Sequence, residues 1–219
     1  MTTVPAPAPT GPDLTDPDPA AAARGYVEAL RLALADLPVP ALLPVLGLLE
    51  QAYRARRTIF VCGNGGSAAT ASHMAVDIVK NTRFPGAPPV RAVSLVDHVP
   101  ALTAWANDEG YETVFSGQLA GLLEPGDVVV GISTSGNSPN VLRALRFARE
   151  SGAVTVGLLG SPGGAARELC DAFIAVPGGS IEREEDIHMM LVHVITRHLR
   201  SVVRGRAQPV LAGTVAGTR

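Results

Sequence analysis

Five short runs of β-branched and apolar residues constrain this chain more than any other feature: TIFVC at 58–62, VRAVSL at 90–95, DVVVGI at 127–132, AVTVGLL at 153–159 and AFIAV at 172–176. Most read as near-continuous apolar stretches, the pattern of strands covered on both faces. Segments of helical length separate them, at 67–80, 112–123 and 138–151, with a short one near 164–170 and a long last one over 181–203. Buried strands alternating with helices predict an α/β fold, a three-layer sandwich around a five-stranded parallel sheet. Two more helices are expected upstream. Tyr26, Leu30, Leu32, Leu34 and Leu37 make 21–37 largely apolar, and Leu42, Leu46, Leu49 and Tyr53 recur at three- and four-residue steps within 41–56.

The ends read differently. Residues 1–20 hold six of the eighteen prolines and almost no large apolar side chain, so they bury too little surface to offset ordering entropy and are expected to be disordered. Residues 205–219 are expected to form a flexible tail. One domain is expected over 21–204. Composition narrows the partners: 18 Lys+Arg against 20 Asp+Glu leave a net charge of −2, and aromatics make up 4%. Neither a basic field nor a base-stacking platform for nucleic acid is present. Two cysteines, Cys62 and Cys170, suffice for neither a disulfide framework nor a four-thiolate zinc site, and both read as inert core thiols. No apolar run reaches the roughly 18 residues of a membrane helix, and no secretory signal pattern opens the chain. The expectation is a soluble cytoplasmic domain with no membrane partner.

The chemistry gathers in two strand-to-helix turns, Gly63-Asn64-Gly65-Gly66-Ser67 and Ser133-Thr134-Ser135-Gly136-Asn137-Ser138. Each places small residues and hydroxyls at a helix start, where open backbone N–H groups and the helix dipole favour an anion. The plainer alternative is a pair of ordinary turns with N-caps. Other motifs fail. There is no Gly-x4-Gly-Lys-Ser/Thr loop. Gly63-x-Gly65-x-x-Ala68 lacks the acidic residue a dinucleotide site needs after the next strand, and Gly131-x-Ser133-x-Ser135 lacks the last glycine of a nucleophile elbow. The serines therefore read as binders. His73 and Asp77, at i and i+4, share one helix face, and Glu185 and His193, eight apart, share another. Together they offer N/O ligands for a divalent ion; the plainer reading is surface ion pairs and a solvated helix start in the Glu184-Glu185-Asp186 run.

The ordered pair GNGGS (63–67) and GISTSGNS (131–138), with SHMAVD between, resembles the sugar isomerase (SIS) domain, and more narrowly the phosphoheptose isomerases, over about 40–203. The resemblance implies a five-stranded parallel sheet, N-terminal helices that mediate oligomers, and a homotetramer with sites between subunits. It implies conversion of sedoheptulose 7-phosphate to an aldoheptose 7-phosphate. The sugar phosphate would be gripped by Ser133, Thr134, Ser135 and Ser138, with Asn64, Gly65, Gly66, Ser67, Asn107, Asp108 and Glu185 also at the substrate. It implies Zn²⁺ held by His73, Asp77, Glu185 and His193. Two positions depart from the family: Asp77 stands for its glutamate and Glu185 for its glutamine. On this reading Asp77 is the base that moves the proton between C1 and C2, and His193 serves the oxygens. Glu182 aligns with a family acid near the site. His188 is a candidate substitute ligand or supporting partner, His98 a residue facing the pocket, and His198 a surface residue. Rival readings are a non-catalytic phosphosugar sensor or replication-initiator-binding SIS protein, and an isomerase of another ketose phosphate.

Overall fold

The computed structural model describes residues 18–215, with side chains through 207. Strands β1 (Thr58–Gly63), β2 (Arg91–Ser94), β3 (Val128–Ser133), β4 (Val154–Gly160) and β5 (Ala172–Val176) form one parallel sheet in the order β2-β1-β3-β4-β5. Val61 pairs with Ser94 on one side and Val130 on the other, and Leu158 lies between Ile132 and Ile174. The expected fold class is thus the observed one. Successive strand residues feed opposite faces. Ile59, Val61, Val130, Leu158 and Ile174 pack with one set of helices, while Phe60, Cys62, Val129 and Leu159 pack with the other.

On the first face lie α2 (Val39–Arg54), α3 (Gly66–Asn81) and α7 (Ile181–Val215), which bury Leu49, Tyr53, Met74, Ile78, Leu191 and Ile195. On the second lie α4 (Val99–Glu109), α5 (Ser116–Ala120) and α6 (Pro139–Glu150), contributing Phe115, Leu119, Val141 and Leu145. Helix α1 (Pro19–Ala35) buries only Ala33, which leaves Val27 66% exposed. No single helix is long and apolar enough to cross a membrane; α1 and α2 meet that criterion only as a pair bent by 73°.

Three boundaries differ from the sequence reading. The helix expected over 112–123 is reduced to the five-residue α5, preceded by a 3-10 turn at Tyr111–Thr113, and Gly110, at φ 94°, separates that turn from α4. A left-handed glycine cannot continue a helix. The segment near 164–170 is a 3-10 helix, Gly164–Leu169. The last helix, expected to stop at Val203, runs on to Val215, so most of the expected flexible tail is helical. At the other end α1 starts at Pro19, with the Asp18 carboxylate accepting from the Ala20 N–H at 2.9 Å. The rest of the expected disordered segment, 1–17, and residues 216–219 lie outside the described residues.

At the amino ends of the strands Asp127, 3% exposed, accepts from the Thr58 N–H at 2.8 Å and the Glu124 N–H at 3.0 Å, joining β1 to the loop before β3. Asp127→Ala leaves two backbone donors without that acceptor. It should lower the unfolding free energy by about 2 kcal/mol in urea titrations, with an unchanged m-value.

Candidate active site

The chain leaves β1 towards β2 on one side and later enters β3 on the other, so a crevice opens at the carboxyl ends of β1 and β3, where open α/β sheets hold ligands. Both candidate loops sit there. In the second, the Ser133 hydroxyl lies 3.4 Å from those of both Ser135 and Ser138. Ser138 occupies the N-cap position of α6 but makes no side-chain cap bond. Gly65 caps α3 without a side chain. The plain N-cap reading therefore fails at both turns, and hydroxyls and helix dipoles are left facing the crevice.

The cradle is braced from behind. The Gly136 N–H donates to Ser133 Oγ at 3.1 Å and the Asn137 N–H to Ser135 Oγ at 3.1 Å. Asn137 Oδ1 accepts from the Ala165 N–H, and Gly136 O from the Ala166 N–H, each at 2.9 Å. Gly136, at φ 61°, has the Gly163 carbonyl where a Cβ would stand, so only glycine fits this approach. Thr134 is half-buried beside this turn.

Helix α3 carries His73 and Asp77 on one face, towards His193 of α7. His73 Nε2 is 3.1 Å from His193 Nε2 and 3.4 Å from Asp77 Oδ2, and His193 Nε2 is 4.0 Å from the same oxygen. The other Asp77 oxygen accepts from Asn81 Nδ2 at 2.7 Å. Three ligand atoms within 4.8 Å of one another suit a divalent ion: tetrahedral zinc with bonds near 2.05 Å sets its ligands about 3.3 Å apart.

The three carboxylates of the Glu184-Glu185-Asp186 run point different ways, because a helix fans neighbouring residues apart. Glu185 points at the first loop, its carboxylate occupying the space a methyl on Gly66 would take, and it is not in the His73–Asp77–His193 group. The structure thus brings together three of the four expected metal ligands and sets the fourth against the loop after β1. Glu184 is buried where a side chain on Gly160 would stand, beside the Thr134 carbonyl. That burial pushes its carboxyl up to about 7. Asp186 accepts from the Tyr26 hydroxyl at 2.6 Å, tying α1 to α7. Burial and then Asp186 raise that phenol to about 12. Glu182 is exposed.

Other expectations shift as well. Asn107 and Asp108 are in the last turn of α4 rather than a loop; both are exposed, with Asn107 Nδ2 bonded to Asp108 at 2.7 Å. His98 caps α4, accepting from the Ala101 N–H through Nδ1. His198 is not a free surface residue: its Nε2 lies 3.1 Å from Glu50, bridging α7 to α2. His188 is wholly buried and outside the ligand group, so it is no substitute ligand. Burial pushes both cysteine thiols up to about 12, as inert core groups require. Sequence reasoning missed Asn140 and Tyr111. Asn140 is buried and bonded to Asn64, and the Tyr111 hydroxyl donates to Asn64 Oδ1 at 3.1 Å.

His188 and Glu184 give opposite pH dependences. Burial lowers His188 to about 4, since neither ring nitrogen has a well-formed hydrogen bond; the Leu159 carbonyl opposes the shift only in part. The folded state then resists protonation, so stability present above about 6.5 is lost as pH falls towards 4. Glu184, raised in the fold, removes stability as pH rises from about 4.5 to 7. Between pH 6.5 and 4.5 the two oppose one another. Thermal melts across that window should show a steeper acid loss for Glu184→Gln and a shallower or inverted one for His188→Phe.

Residues 40–160 match the SIS domain family. The chain is 44% identical over 149 residues to the phosphoheptose isomerase of a Nitratiruptor species, an alignment that covers 66% of this chain and 77% of that one. It is 48% identical over 139 residues to that of Solidesulfovibrio magneticus, covering 64% and 67%. Among solved structures it is similar to phosphoheptose isomerase GmhA from Neisseria gonorrhoeae, with a TM-score of 0.74 and 34% identity over 83% of this chain and 96% of the other. A phosphoheptose isomerase from Francisella tularensis gives a TM-score of 0.75 at 26% identity over the same shares. The chain belongs to the SIS-domain family and, within it, to the phosphoheptose isomerases.

Proposed function

We propose that this protein is an aldose–ketose isomerase that converts sedoheptulose 7-phosphate to D-glycero-D-manno-heptose 7-phosphate. The observation that carries the reading is the pairing of a three-hydroxyl anion cradle with an acid–base group on the helix leaving the neighbouring loop. His73 lies seven residues, about 10 Å of helix, beyond Gly66, which sets the proton-handling groups apart from the phosphate end. The phosphate, held by Ser133, Ser135, Ser138 and loop amides with Thr134 beside them, fixes the register of the sugar. Ser67 and the Gly65-Gly66 backbone supply the start of α3, Glu185 lies over it, and Asn107 and Asp108 offer polar groups from α4.

Isomerisation moves one proton between C1 and C2 and another between the two oxygens. Asp77 Oδ2 takes and returns the carbon-bound proton, and His193 Nε2 carries the oxygen-bound one. His73 lies within reach of both, and Asn81 orients the Asp77 carboxylate. His73, Asp77 and His193 suit Zn²⁺, which when bound would polarise the sugar carbonyl, while Glu185, set against Gly66, would face the sugar. The work is placed in the cytoplasm, where phosphorylated sugars are made and consumed.

Asp77→Asn and His193→Gln should each reduce turnover of sedoheptulose 7-phosphate by about 10²–10⁴ while thermal stability is retained. A chelator should lower the wild-type rate, restored by added zinc. Full turnover in both variants would overturn the assignment of base and shuttle. Absence of turnover on pentose, hexose and heptose phosphates alike would favour the sensor reading.

The assembly is proposed to be a homotetramer. Val27, Leu32, Val39 and Leu43 of α1 and α2 are all more than half exposed, which supports burial of that face against other copies. Val27→Glu with Leu43→Glu should lower the mass in light scattering, whereas an unchanged mass would place the contact elsewhere.

A further inference from the structure

We propose that Asn140 is a positioning residue, locking the two substrate loops to each other through Asn64 so that the phosphate cradle and the start of α3 keep one fixed register. Asn64 belongs to the loop after β1, and Asn140 is the second residue of α6, directly beyond the serine cradle. Their side-chain amides exchange two hydrogen bonds. Asn64 Nδ2 donates to Asn140 Oδ1 and Asn140 Nδ2 donates to Asn64 Oδ1, both at 2.8 Å.

The orientation of the pair follows from its surroundings. The Val141 N–H donates to Asn140 Oδ1 at 2.9 Å, so that atom must be the oxygen, and the amide nitrogen is left to face Asn64. The Tyr111 hydroxyl then donates to Asn64 Oδ1 at 3.1 Å, giving that oxygen its second donor. Asn140 is 2% exposed, so it has no surface with which to touch a sugar. Asn64 is half-buried, and its carboxamide is engaged by Asn140 and Tyr111. Its side chain therefore serves the lock, and its loop meets the ligand through backbone groups. Neither asparagine takes part in a strand ladder. The two amides, one buried and one half-buried, answer each other and tie the loops together beyond Gly63 and Ile132, the last pair of the β1–β3 ladder. Tyr111, 59% exposed, closes this pair from the rim of the crevice.

The kinetic part of the proposal rests on the phosphosugar reading; the structural part does not, and two readouts separate them. The first is amide hydrogen exchange of the full-length protein without ligand. Asn64→Ala, a change in the first loop, should accelerate exchange of residues 133–140 in the second by about tenfold. The second is isomerase kinetics with sedoheptulose 7-phosphate. Asn64→Ala and Asn140→Ala should each raise KM about tenfold with kcat held within about threefold, and the double variant should be no worse than the weaker single variant. Asn140→Asp keeps the acceptor for Val141 and Asn64 but cannot donate to Asn64. It should match Asn140→Ala in KM while melting within a few degrees of wild type.

Unchanged exchange of 133–140 in Asn64→Ala overturns the lock. So does additivity in the double variant, or a lowered melting temperature with KM unmoved, which would make the pair a structural bond alone. If the wild type turns over no sugar phosphate, it is the isomerase reading that fails, and the exchange result alone decides the lock.

Discussion

The switch of winding direction between β1 and β3 governs the molecule. Two parallel strands lie side by side, but the connections that leave them go to opposite edges of the sheet, so neither connection covers the gap at their carboxyl ends. The serines after β3, the glycines after β1 and the starts of α3 and α6 all sit at that gap, and His73, Asp77 and His193 lie further along α3 and α7. The rest of the sheet serves to hold it open. Tight pairing of β3 with β4 and β4 with β5 fixes one wall, and the packing of α3 and α7 on the buried Val61 face fixes the other.

Burial is distributed unevenly around this gap, and that unevenness separates recognition from support. Ser135, Ser138 and the His73–Asp77–His193 group keep some exposure, while Ser133 at the base of the cradle is buried. Immediately behind them lie Asn140, Glu184 and His188, polar groups removed from water. Asn140 is satisfied by hydrogen bonds, whereas Glu184 and His188 answer burial by giving up charge.

Much of this was legible in the sequence, because it depends on local pattern. The strands announced themselves as apolar runs, the loops as glycines and hydroxyls at a strand end, and His73 with Asp77 as an i, i+4 pair. What was illegible depends on where a helix points its neighbours. Glu184, Glu185 and Asp186 are adjacent letters, yet they face Gly160, Gly66 and Tyr26 respectively. Asn140 resembles any polar residue in a first helical turn; only the fold reveals Asn64 across from it. The break at Gly110 was equally hidden, since a glycine between two helix-like stretches does not disclose its φ angle.

Helix α7 carries two loads at once. It supplies Glu184, Glu185, His188 and His193 around the gap, and Ile187, Leu191, Ile195 and Leu199 to the core beneath. It is also made after every strand of the sheet. Until it emerges, the β-sheet of the nascent chain has one greasy face incompletely covered and lacks His193, one half of the proposed acid–base pair. Closing that face and bringing His193 to His73 and Asp77 are therefore a single docking event, so a chain interrupted before α7 is left exposed to aggregation and without that group of three.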